Sequence, residues 1–78
     1  MTRYYFHTRT LDVLEVDLEG TELASDDQAM NEAIAGACEI VADRVKRWQP
    51  VGHDIFEVMD DRGSIVFSLP FRSVLKLT

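Results

Sequence analysis

One stretch of the 78-residue chain carries apolar residues at the spacing of a long helix: Met30, Ile34, Ala37, Val41, Val45 and Trp48 recur every three or four positions. "SDDQ" opens it. Ser25 can cap free backbone N–H groups, Gln28 sits three residues on as in a capping box, and Asp26 and Asp27 suit the positive end of the helix dipole. Arg44, Lys46 and Arg47 suit the negative end, and Pro50 and Gly52 prevent continuation. The spacing predicts an amphipathic helix of about six turns with Cys38 at its buried stripe and Trp48 closing the end of the core. A lone helix cannot bury its own stripe, so the flanking segments must supply a surface for it.

Both flanks read at the strand period. Tyr4, Phe6 and Thr8 alternate with Arg3, Tyr5, His7 and Arg9, which puts the two sets on opposite faces. In "LDVLEVDLEG" the apolar phase changes between Val13 and Leu14, as one extra residue in a β-bulge would produce, and Glu19-Gly20 closes a first hairpin. After the helix, "DIFEVMDDRGSIVFSLPF" reads as a second hairpin turning at Asp60-Asp61-Arg62-Gly63. Phe56 and Val58 share one face of its first strand, and Ile65, Phe67, Leu69 and Phe71 one face of its second. Pro70 cannot donate to a ladder, so the last strand is an edge or ends there. Residues 72–78 fit a last helical turn or a short extension. The expected fold class is α+β: a two-layer arrangement in which an antiparallel sheet of about four strands, β-β-α-β-β, carries one long amphipathic helix on one face. Residues 1–78 form a single domain.

Such a domain lies near the lower size limit for folding without disulfides or metal, which makes burial against a second subunit useful. Apolar residues at 46% and charged residues at 28% are the balance of a soluble globular protein. A single cysteine allows no internal disulfide and no cysteine-rich zinc framework. The opening "MTRYYFHTRT" lacks an apolar signal core and no apolar run reaches bilayer-spanning length, so the expected compartment is cytoplasmic, with no membrane partner. The net charge of −6 is concentrated between Asp12 and Asp27, where seven acids occur without a base. Repulsion from phosphate makes nucleic acid an unlikely partner.

The opening R-Y-Y-F-H at 3–7, D-x-E-G-x-E-L at 17–23 and D-x-x-G-x-x-x-x-x-L-P-F at 60–71 resemble a domain-of-unknown-function family. Its members are short bacterial proteins, mainly alphaproteobacterial, with an R-Y-F-F-H opening. The resemblance spans nearly the whole chain and implies no activity. Tyr5, Leu11 and Ala24 stand where the family more often has phenylalanine, glycine and proline. There is also a distant topological likeness to HicB-type antitoxins, which place a hairpin ending in acidic and glycine residues before a helix.

No catalytic residue is expected. A histidine such as His7 can act as a general base, but its neighbours in sequence offer only Tyr5 and threonines as reacting groups. The acidic run lacks the register of a calcium loop, so no metal site is expected, and the four glycines are too scattered for a phosphate loop, so no cofactor is either. Cys38 has no activating neighbour at useful spacing. Arg44, Lys46, Arg47 and Trp48 are accounted for by the helix dipole and the core.

What remains is a surface. With one helix covering one face, the other carries Tyr5, His7, Ile55, Glu57, Met59, Val66 and Ser68, framed by Arg3 and Arg9, a mixture more apolar than a solvated face requires. The expected partner-binding residues are Arg3, Tyr5, His7, Arg9, Ile55, Met59 and Val66. The expected function is non-enzymatic: binding of a protein partner through the open sheet face, with a homodimer among the arrangements. The alternatives are an antitoxin-like regulator masking a basic partner protein and a nucleic-acid binder that stacks bases on Tyr5.

Overall fold

Nine residues of unbroken alternation make β1, Thr2–Thr10, the strand about which the sheet is built. This computed structural model describes residues 1–77, with side chains through residue 75. β2 (Val13–Glu15) and β3 (Thr21–Leu23) pair antiparallel with the two ends of β1 along one edge, and β4 (Ile55–Met59) pairs along the other, followed outward by β5 (Ile65–Pro70). The strand order is β2-β1-β4-β5, with β3 also on β1. The α+β class and the antiparallel sheet under one helix are as the sequence predicts. The sheet has five strands where about four are expected, because the second is broken in two.

The break is larger than a one-residue bulge. Thr8 pairs with Glu15 and Tyr4 with Thr21, so the five residues Val16–Gly20 lie opposite the three residues Tyr5–His7 and must leave the ladder. The hairpin between β1 and β2 turns at Leu11-Asp12, where Leu11 takes a φ of 52°, a left-handed value that glycine adopts more readily.

α1 spans Asp26–Lys46. Ser25 Oγ accepts from the Gln28 N–H at 3.2 Å, while Gln28 Oε1 accepts from the Ala24 N–H at 2.9 Å, one residue further back than a standard capping box. The Tyr4 hydroxyl donates to Asp26, tying β1 to the first turn; this bond, with burial and the carboxylates of Asp26, Asp60 and Asp61, pushes the phenol up to about 12. At the far end of the helix Arg44 donates to Val51 O and pairs with the buried Asp54 carboxylate, both at 2.6 Å.

The buried stripe of α1 is Ala29, Ala33, Ala37 and Val41, rotated from the expected one. Met30 and Ile34 are half-buried, whereas Val45 is 60% exposed and Trp48 96% exposed, so Trp48 does not close the core. Cys38 is exposed as well. Small side chains win the buried face because rings fill the space: Phe56 and Phe71 meet edge to face at 4.6 Å, with Phe6 against Phe56 at 6.3 Å. Gly36 faces the Phe56 ring, where an added Cβ would stand 3.6 Å away, an ordinary contact. Gly36→Ala is therefore expected to stabilise the protein by about 0.5–1 kcal/mol, read as a raised denaturation midpoint, because it removes unfolded-state freedom without a clash.

Phe71 is the first residue of a 3₁₀ helix, Phe71–Leu77, rather than the end of a strand. Phe71 and Val74 point into the core, and the Phe71 N–H donates to Asp54 O at 2.9 Å. The part of the 72–78 stretch beyond Leu77 lies outside the described residues. β5 is an edge strand and ends at Pro70, satisfying both expectations for that proline. The pairing of β4 with β5 slips between Val58 and Met59: Val58 faces Phe67 but Met59 faces Ile65. Val66 is the extra residue. It packs with Phe67 against the core, while Ile65, expected on the same face as Phe67, lies opposite Met59 and is 60% exposed. Among the described residues no helix is long and apolar enough to cross a membrane.

Candidate functional site

α1 covers one face of the sheet; the other face has no second layer among the described residues. Strand alternation sends Arg3, Tyr5, His7 and Arg9 to that open face, and direct pairing sets Met59 beside Tyr5, Glu57 beside His7 and Ile55 beside Arg9. Six of the seven residues expected there are thus brought together, all partly exposed. Val66 is not one of them, since the slip in β5 turns it toward the core and brings Ile65 to Met59 in its place.

Val16–Gly20 leaves the ladder at the outer edge of β1, flanks this face and is held by one carboxylate. Asp17 Oδ2 accepts from the Phe6 N–H at 3.1 Å, which supplies the acceptor that the broken ladder lacks, and Asp17 Oδ1 accepts from the Glu19 and Gly20 N–H groups at 3.2 and 3.1 Å. His7 completes the clasp: its Nδ1 accepts the Asp17 N–H at 3.0 Å, which puts the proton of the neutral ring on Nε2. The ring stacks with Tyr5 at 6.3 Å. Gly20, at a φ of 71°, sits so close to this face that a Cβ would meet Arg3 Cγ at 2.8 Å and Tyr5 Cε2 at 2.9 Å, which is why glycine is needed there.

Burial alone would raise the Asp17 carboxyl, but the three backbone N–H groups, with His7 nearby, outweigh it and hold the group below the usual carboxylate range. A depressed folded-state value means that the stabilisation is complete above the ordinary carboxyl range and is lost as pH falls through that range and below it. Asp17→Asn is expected to cost about 1–2 kcal/mol at neutral pH, because the amide offers one acceptor atom where the carboxylate offers two, and to flatten acid unfolding as pH falls through the ordinary carboxyl range and below it. Denaturant titrations at several pH values check both.

The fold makes a groove of about 360 Å³ on the open face. Tyr5, His7 and Met59 form its floor, Val16, Asp17 and Leu18 one wall, and Asp60, Asp61 and Gly63 of the β4–β5 turn the other. Leu18 is 87% exposed at the lip. Asp60 is occupied in shaping the turn, accepting from the Arg62 and Ser64 N–H groups at 2.9 and 3.0 Å. Asp61 makes no hydrogen bond or ion pair among the described residues. Among the described residues no lysine or arginine lines the groove, although Arg62 belongs to the turn that forms its second wall.

The arginines framing the face are committed to neighbours. Arg9 grips Glu57 through Nε and Nη2, and this pairing lowers the Glu57 carboxyl and raises the Arg9 guanidinium from their ordinary values. Arg3 donates to Glu19 O at 2.8 Å and pairs with Glu22 at 3.3 Å. The groove walls were missed by reading strands alone: the phase change between Val13 and Leu14 falls inside the paired β2, and the ladder fails only after Glu15. Among the described residues no three metal-binding side chains are grouped to hold an ion.

A family model described as "Domain of unknown function (DUF6894)" matches residues 3–72. No curated protein and no solved structure matches the chain.

Proposed function

The chain belongs to the DUF6894 family, a family without an assigned activity, and from the geometry of the open face we propose that it is a non-enzymatic, cytoplasmic protein-binding module. One observation carries the reading: Tyr5, His7, Met59 and Ile65 form a continuous, partly apolar surface on the uncovered side of the sheet, extended by the exposed Val16 and Leu18. A groove of this size takes one or two side chains of a polypeptide more readily than a large cofactor. A catalytic role for His7 is disfavoured because its Nδ1 already serves as a structural acceptor. Nucleic acid is disfavoured because Arg3 and Arg9 are paired with glutamates and the groove is walled by carboxylates.

The test is retention of partners by a tagged copy in its own cells. Polypeptides held by wild type should be lost from Tyr5→Glu/Met59→Lys and kept by Asn31→Glu/Ala35→Lys, which makes a similar charge change on the exposed side of α1. If the first variant, shown folded by circular dichroism, retains the same polypeptides, the open face is not the binding surface. The acidic walls also favour a second reading, in which the partner is a basic protein masked by this chain in the manner of an antitoxin.

A further inference from the structure

Trp48 serves the fold through its backbone, which closes the end of α1, while its ring is left exposed. It is the only tryptophan, it is 96% exposed, and it adopts a φ of 59°, a left-handed value uncommon for a bulky residue. Its position is fixed nevertheless: the Trp48 N–H donates to Val45 O at 3.2 Å and the Gln49 N–H to Arg44 O at 2.8 Å. Beside it stand Lys46, which makes no ion pair among the described residues, and Arg47, whose pair with Asp43 is largely solvent-exposed. The result is a projecting aromatic ring with cations at its base. The left-handed backbone closes α1 in a Schellman-type cap, so it is the exposure of the ring that marks a side chain presented to something else.

The groove on the open face is the complement of this tip. Its floor offers Tyr5 and Met59 to an indole ring, and its walls carry the charges of Asp17, Asp60 and Asp61, of which the Asp61 carboxylate has no hydrogen-bond or ion-pair partner among the described residues. The two features cannot meet within one molecule. The start of α1 is tied to Tyr4 and its end to Asp54, so the tip lies at the far end of the helix layer, while the groove lies on the other side of the sheet beside Tyr5. We propose that the groove receives the Lys46–Trp48 tip of a second copy, so that copies associate head to tail. This inference rests on the reading of the open face as a docking surface and names its occupant. A contact between two different patches is heterologous, and it builds chains or a closed ring rather than a two-fold dimer.

The single tryptophan makes the test direct. As protein concentration rises, the Trp48 emission should shift to the blue while the sedimentation coefficient increases. Trp48→Ser removes the tip, and Leu18→Lys/Asp61→Lys, both changes at exposed positions, spoils the groove. Each variant alone should associate at least tenfold more weakly than wild type. An equimolar mixture should form a dimer of one copy of each and stop there, because one supplies an intact groove and the other an intact tip; the tryptophan of the groove variant should turn blue in that mixture. If Trp48→Ser associates like wild type while the groove variant does not, the tip is the wrong occupant and the open-face reading stands. If both variants associate like wild type, both readings fall. A wild type that stays monomeric with an unshifted emission at all concentrations overturns head-to-tail association and leaves the open face to a different polypeptide.

Discussion

Phe71→Ala is expected to remove most of the stability of the fold. The ring is fully buried, meets Phe56 edge to face at 4.6 Å and carries the Arg44 guanidinium 5.5 Å above its centre. Truncating a buried phenylalanine costs about 3–5 kcal/mol, while a domain this small has total stability toward the low end of about 5–15 kcal/mol. Denaturant titration measures the loss. Phe67→Ala, at a half-buried position, should cost clearly less; equal losses would mean that the 3₁₀ helix is not the part of the core described above.

The second large effect concerns the only buried charged side chain among the described residues. Asp54 is 7% exposed and is held by Arg44, which also donates to Val51 O, so one guanidinium fastens the end of α1 to the segment entering β4. Asp54→Ala strands a partly buried cation and is expected to cost about 2–4 kcal/mol. Removing both charges should cost less than the sum of the single changes, because the second truncation removes the stranded group. Added salt should weaken the pair little, since solvent reaches it poorly. A double-mutant cycle by denaturant titration, at low and high salt, checks the sign and the salt response. Additive losses would show that the pair contributes no coupling.

The outline of the fold is legible because each element carries its own local signal. Ser25 and Gln28 mark the start of the helix, Gly63 marks the β4–β5 turn, and strict alternation from Arg3 to Arg9 sorts two faces before any partner strand is known. The failures occur where periodicity is blind to register. A slip of one residue in β5 exchanged Ile65 and Val66, and no feature of "SIVF" announces it. The helix stripe was drawn through the largest apolar residues, whereas the rings of Phe56 and Phe71 need small neighbours and so select the alanine face. The same error assigned Trp48 to the core and hid the exposed tip. On the open face, alternation placed Tyr5, His7 and Met59 correctly, but the groove depends on Asp17 capping backbone groups of two segments, a tertiary arrangement that spacing along the chain does not encode.

The account turns on one claim, that the uncovered sheet face is where this protein meets another polypeptide while the outer side of α1 is solvent-facing. Site-specific photo-crosslinking in the native cell tests it most directly, with the reactive residue placed at Tyr5 in one strain and at Glu32 on the exposed side of α1 in another. The account predicts discrete covalent adducts from position 5 and none from position 32, and the masses of those adducts report whether the partner is a second copy or another chain. Adducts from position 32 alone, or none from position 5 in a folded protein, would contradict it.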